Sequence, residues 1–250
     1  MTDNFENAIL EGTISVEAAI NAGFRKVLKV YIDKSKKEKR DRKITHFISI
    51  LKSNNIPFEL CDRAFIDSKT DGTTHGGVIA EVSERSYTPV ADLLSSLKHG
   101  EYVVFLDGVE DPFNFGYSIR NLFAFGCKGF IVPERNWMTS CNVVAKASAG
   151  ASELCSMAIS RDDMDTAMLC KNTGVEIICS ALSSTSIPLY EFKLNKPCVL
   201  FIGGEKRGIS KTFMEQASKV VHIPYSNENA KYSLPTASCA AIFGSHLAYK

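Results

Sequence analysis

Apolar and polar positions along this chain fall into short blocks in which strand-like runs trade places with helix-like ones. Val16, Ala19 and Ile20 recur at helical spacing behind Ser15, a candidate cap, and Gly23 stops that helix. Residues 27–32 then alternate as a half-buried strand does. Ile44, Phe47, Ile48 and Leu51 share one face of a second predicted helix, 44–54. Short strands are predicted at 56–60 and 78–82, with a turn-rich loop at 71–77 before the second. Beyond a linker at 83–89, residues 103–106 read as a buried strand, 107–116 as the loop at its carboxyl end, and 117–125 as a helix closed by Gly126. Residues 129–133, 175–180, 199–202 and 220–224 are further predicted strands, with a short helical pattern before the last. A small-residue helix opens at 233–238 and runs to Tyr249. Alternating strands and helices predict an α/β protein with a mostly parallel sheet. The expected division is a small α/β unit over 1–85, a linker and lead-in helix over 86–99, and a larger domain over 100–250.

Composition adds little to this picture except through cysteine and charge. The chain has 250 residues, 45% hydrophobic and 23% charged, the values of an ordinary globular protein. No apolar run approaches the ~20 residues that a membrane span needs, and residues 1–7 are acidic without a signal-like apolar segment, so a cytoplasmic protein is expected. The eight cysteines form no Cys-x-x-Cys pair, and Cys127, Cys179 and Cys198 sit within apolar runs, which predicts buried reduced thiols. Ten Lys and Arg against three Asp and Glu give residues 25–43 a net +7, which leaves −6 for the rest of a chain whose total is +1. That block suits either a phosphate backbone or a solvated surface.

The tail carries the candidate chemistry. Residues 199–202 end at Gly203 and Gly204, where backbone amides can approach a ligand that a Cβ would push away. Gly203 and Gly208 have P-loop spacing, but Ile209 and Ser210 stand where that loop needs Lys then Ser or Thr. The five histidines lack ligand spacing, no metal signature is present, and Ser233 and Ser238 lie in no Gly-x-Ser-x-Gly elbow. What remains is one set: Asn114, Gly116 and Arg120 after the 103–106 strand, Glu205 after the glycine pair, and Ser233. As a structural set, Arg120 would be a surface residue paired with Glu205. As a functional set, these residues would gather at strand ends, where open α/β sheets bind ligands.

On these residues the chain resembles the SpoU/TrmH family of RNA ribose 2′-O-methyltransferases, members of the SPOUT superfamily. Residues 106–120, with Asp111, Pro112, Asn114, Gly116 and Arg120, resemble the family's first motif. Residues 200–210, around Gly203, Glu205 and Gly208, resemble the second, and Ile223, Pro224, Ser233 and Leu234 the third. Residues 145–151 are similar to the stretch between motifs, and 1–85 to the ribosomal-protein-like RNA-binding domain that precedes the catalytic domain in many relatives.

The resemblance implies a deep trefoil knot in the larger domain, a homodimer, and S-adenosylmethionine as cofactor with no metal. It implies that Gly203, Ile223, Leu234 and Gly208 bind the cofactor. Arg120 would act on the ribose hydroxyl, supported by Asn114, Glu205 and Ser233. Arg25, Lys26, Lys36, Lys37, Lys39 and Arg40 would hold the RNA, with large-subunit ribosomal RNA expected as substrate. Transfer RNA, or a catalytically silent RNA-binding relative, are the alternatives. The chain departs from the family in Pro235, where Asn follows Ser-Leu, and in Lys206, where Gly follows Asn-Glu.

Overall fold

In the computed structural model, the described residues are 8–39, 41–70, 74–134, 140–227, 229 and 232–249. The elements are β1 (Ala8–Glu11), α1 (Thr13–Ala22), β2 (Val27–Asp33), α2 (Lys34–Glu38), α3 (Arg42–Ser53), β3 (Phe58–Cys61), α4 (Arg63–Asp67), β4 (Val78–Val82), α5 (Val90–Ser95), β5 (Tyr102–Asp107), α6 (Pro112–Ala124) and β6 (Gly129–Pro133). They continue with α7 (Cys141–Ala147), α8 (Ala151–Leu154), β7 (Ser156–Ser160), α9 (Asp163–Asn172), β8 (Glu176–Ser180), β9 (Ile187–Pro188), β10 (Cys198–Gly203), α10 (Lys211–Gln216), β11 (Lys219–His222) and α11 (Thr236–Ala248). These divide into two compact units, one of described residues 8–86 and 140–154, the other of 87–134 and those from 155 onward.

The first unit is built on a four-stranded sheet, β1-β4-β2-β3, in which β4 runs antiparallel to both neighbours and β3 parallel to β2. Leu10, Val30, Ile32, Val78 and Val82 of the sheet are buried with Val16 of α1 and Phe47 and Leu51 of α3. Cys141 and Ala145 of α7 complete that core. The Ser15 cap is not used. α1 begins three residues earlier, from Gly12, and Ser15 is buried within it; Gly23 does end it, with φ +71° and its N–H on the carbonyl of Ala19. Asp41 caps α3 by accepting from the N–H groups of Lys43 and Ile44.

The second unit is a seven-stranded sheet, β7-β6-β5-β10-β8-β11-β9, with every pairing parallel. Strands buried on both faces read as near-continuous apolar runs, which is why β5, β6, β8 and β10 are legible in the sequence. On one face Val103, Phe105, Val199 and Phe201 pack with Leu93 of α5, Cys170 of α9 and Phe213 of α10. The rings of Phe105, Phe201 and Phe213 lie 4.2–4.9 Å apart between centroids. Tyr102, of opposite parity in β5, donates its hydroxyl proton to the carbonyl of Phe125 just past α6, so α6 covers the other face. α11 packs on α6, where Asn121 donates to the carbonyl of Ala237 and Gly244 leaves room for Phe125.

α6 corrects the expected 107–116 loop. It starts at Pro112, because the Asp111 carboxylate accepts from the N–H of Asn114 at 2.7 Å and proline's fixed φ suits the first helical position. Asn114 therefore lies in the first turn and Arg120 two turns further along. No described helix is long and apolar enough to cross a membrane.

Candidate active site

The chain arrives at the carboxyl edge of the large sheet on adjacent strands, β5 and β10, and leaves towards opposite faces, α6 on one and α10 on the other. That reversal opens the crevice in which α/β sheets bind ligands. Its floor is backbone against backbone. The N–H of Gly204 donates to the carbonyl of Asp107 at 2.6 Å, and that of Gly208 to the carbonyl of Gly204 at 2.9 Å. A Cβ on Gly203 would stand 2.4 Å from the carbonyl carbon of Gly208, and one on Gly204 2.1 Å from the carbonyl oxygen of Gly108. Neither position tolerates a side chain, so both glycines serve close approach.

Three side chains hold this loop. The Asp107 carboxylate accepts from the N–H of Ser210 at 2.7 Å, and burial pushes its acid above the ordinary carboxylate range while that bond pulls it back. Asn114 donates from Nδ2 to Glu205 Oε1 at 3.1 Å, tying the first turn of α6 to the loop. Thr236, the first residue of α11, donates its hydroxyl proton to the carbonyl of Gly203 at 3.3 Å.

Beside the loop lies a cavity of about 700 Å³ that includes Leu182, Val221, Ile223, Ser233, Leu234 and Phe243 in its wall. Among the described residues no Lys, Arg, Asp or Glu lines it. Tyr225 accepts at its hydroxyl from the N–H of Leu234 at 3.2 Å and so fastens two parts of the rim. Pro235 caps α11, its carbonyl accepting from the N–H groups of Ser238 and Cys239.

Of the expected cofactor residues, Ile223 and Leu234 line the cavity and Gly203 and Gly208 do not: they lie packed against each other in the loop, which Thr236 ties to the start of α11. Ser233 lines the cavity; Asn114 and Glu205 are joined to each other. Arg120 is exposed on α6 and has no ion pair or hydrogen bond among the described residues, so Glu205 is not its partner. Lys206 is paired with Glu110 at 3.2 Å.

The basic residues separate. Lys26, Lys37 and Lys39 are exposed and Lys36 half-buried, whereas Arg25 is buried, its Nε on Glu153 Oε2 at 2.7 Å. Arg40 lies outside the described residues. Sequence reasoning passed over Leu182, Tyr225 and Asp107. The first follows β8, next to β10, so the rule that ligands sit at carboxyl ends of parallel strands was the available signal.

Comparisons with known proteins give the family. Residues 9–88 match the model for RNA 2'-O ribose methyltransferase substrate binding, and residues 101–244 that of the SpoU rRNA Methylase family. The 23S rRNA (guanosine-2'-O-)-methyltransferase RlmB of Photorhabdus laumondii is 28% identical over 94% of this chain and 96% of its own. Its namesake in Escherichia coli is 26% identical, with the same coverage of both chains. Among solved structures, an AdoMet-bound rRNA methyltransferase from Sinorhizobium meliloti superimposes with a TM-score of 0.79 at 20% identity, over 98% of this chain and 88% of that one. With its larger unit matched almost from end to end, this chain belongs to the SpoU rRNA methylase family.

Proposed function

We propose that the protein transfers the methyl group of S-adenosylmethionine to a ribose 2′-hydroxyl of large-subunit ribosomal RNA. One observation carries the reading: the Thr236–Gly203 hydrogen bond ties the start of α11, two residues past the cavity-lining Leu234, to the glycine loop that presents Glu205 to Asn114. The cavity fits the cofactor. Its volume lies within the range of small-molecule sites, about 300–1,000 Å³, and its apolar walls suit a purine and an alkyl chain, with strand-end backbone as polar partner. Ile223 and Leu234 would hold the cofactor, with Gly203 and Gly208 keeping the loop flat beside them. When bound, it supplies a methyl group already activated on a sulfonium sulfur.

The chain's own task is to bring a ribose oxygen into line and relieve it of its proton, since a hydroxyl that keeps its proton is a weak nucleophile. Arg120 is the group assigned to that oxygen. A guanidinium is ordinarily a cation, so Arg120 acts as base only where its surroundings disfavour the charge; otherwise it orients an RNA phosphate that takes the proton. Asn114 and Glu205 fix α6 against the loop, and Ser233 presents a hydroxyl at the cavity. Lys26, Lys36, Lys37 and Lys39, with Arg40, hold the RNA backbone, while the buried Arg25 braces the unit that carries them.

Relatives matched across 94% of the chain are named for 23S rRNA, which favours ribosomal over transfer RNA as substrate. The protein would act in the cytoplasm, away from membranes, as a homodimer with its larger unit knotted. The apolar groove of Phe125, Tyr190, Ile223 and Ile242 supports a second copy there.

The test is transfer of label from S-adenosylmethionine to ribosomal RNA taken from cells lacking the gene. Label should appear in a ribose, and Arg120→Ala should lower the rate by about 100-fold or more. Wild-type protein that labels neither ribosomal nor transfer RNA would overturn the reaction and leave an RNA-binding protein.

A further inference from the structure

The chemistry above leaves one group in the wall of the larger unit's cavity unused. His222 ends β11, is half-buried, and lines the cavity beside Val221 and Ile223. β9 runs beside β11 with Pro188 opposite His222, and that register brings Ser186 to the ring, its hydroxyl oxygen 3.0 Å from Nδ1. Ser186 decides which nitrogen carries the proton. Its hydroxyl donates to the carbonyl of Ser183 at 2.8 Å and accepts from the N–H of Ser183 at 3.0 Å. A hydroxyl has one proton, and this one is already given, so Ser186 meets the imidazole through its second lone pair. In the neutral ring Nδ1–H is therefore the donor and Nε2 is bare, a tautomer assigned from the hydrogen-bond network. Nε2 has no partner among the described residues.

An imidazole held in this way differs from the other polar groups of the wall. Asn227, Tyr232 and Ser233 can each turn either a donor or an acceptor towards a ligand, whereas His222 offers an acceptor alone. With no Lys, Arg, Asp or Glu among the described residues of the wall, that acceptor suits an uncharged N–H donor. The amino-acid end of S-adenosylmethionine carries an ammonium and a carboxylate, which lose more than they gain against apolar surface. Its adenine is flat and largely apolar, and carries one uncharged amino group.

We propose that His222 Nε2 accepts a hydrogen bond from the 6-amino group of the cofactor's adenine and makes the cavity selective for that base, with Ser186 as the positioning residue that fixes the tautomer. The inference rests on S-adenosylmethionine being the cofactor. A purine with a carbonyl at the same carbon would set acceptor against acceptor, and a site built around one hydrogen bond rejects the analogue that cannot make it.

Calorimetric titration of the full-length protein with S-adenosylhomocysteine and with S-inosylhomocysteine, its deaminated analogue, tests this without reading methyl transfer. Wild type should bind the inosyl compound at least about tenfold more weakly. His222→Phe keeps a ring without an acceptor and should bring the two affinities within about threefold of each other. His222→Gln, whose side-chain carbonyl can stand in for Nε2, should restore most of the preference. Ser186→Ala should narrow it, because the imidazole can then carry its proton on Nε2 and donate to the inosyl carbonyl. In the nitrogen-15 spectrum of wild type, Nε2 of His222 should be the unprotonated nitrogen, and its resonance should move as S-adenosylhomocysteine binds. A preference that survives in His222→Phe, or a proton found on Nε2 of the neutral ring, overturns the assignment. Equal binding of both compounds to wild type overturns this inference alone and leaves the cofactor in place. Binding of neither removes the cofactor, and this inference with it.

Discussion

Arg25 and Lys26 are neighbours with the same charge and opposite fates. Arg25 turns inward to Glu153, with the Arg85 guanidinium at 3.8 Å from the same carboxylate, while Lys26 stays in solvent. Arg25→Ala should therefore cost about 3–5 kcal/mol in urea denaturation, as removing one partner of a buried pair does. Lys37→Ala should stay within about 0.5 kcal/mol. Sequence alone could not separate the two, because the carboxylate that claims Arg25 lies 128 residues away. The cysteines were legible for the opposite reason: an apolar neighbourhood in sequence became an apolar neighbourhood in space. Burial pushes the thiols of Cys170 and Cys179 up to about 12. Alkylating reagent at pH 8 should label half-exposed Cys61 and Cys239 first, and Cys170 and Cys179 only after denaturation, as mass spectrometry of timed samples would show.

At the scale of elements, what was legible is what repeats locally. Parallel strands buried on both faces announced themselves as apolar runs; β1, β7 and α9 did not, since each is short or carries too few apolar residues in period. The start of α6 was missed because a capping Asp followed by Pro reads equally as a turn. Asp107 shows what such local readings omit. It ends β5 as a half-exposed carboxylate whose single bond to the N–H of Ser210 does not offset its loss of water, so its acid is raised in the folded protein. The sign follows from linkage. A group bound more tightly to its proton when folded adds stability below its unfolded value, about pH 4, and that stability is lost as pH rises through the folded value. Asp107→Asn should remove this dependence, so the melting temperature of wild type should fall relative to the variant as pH is raised from 4 towards neutrality.

The whole molecule carries a net charge of +1, yet 25–43 alone carries +7. Attraction to RNA should therefore come from one region and not from the protein's overall field. Replacing Lys36, Lys37, Lys39 and Arg40 together with alanine should weaken RNA binding and lower the slope of log K against log salt by about three. An unchanged slope in filter binding would remove the basic block from the interface. The order of the large sheet was the least legible feature of all, since β10 comes late in the chain yet pairs with β5, about a hundred residues earlier.

That strand order has a consequence for synthesis. At about 5–20 residues per second, on the order of 5–20 s separates the making of β5 from the making of β10. Throughout that interval β5 has a partner on one side only, and β8, once made, waits beside a gap for the strand that belongs between them. The nascent chain must keep two apolar edges from finding each other, or another chain, before the middle of its own sheet has been translated.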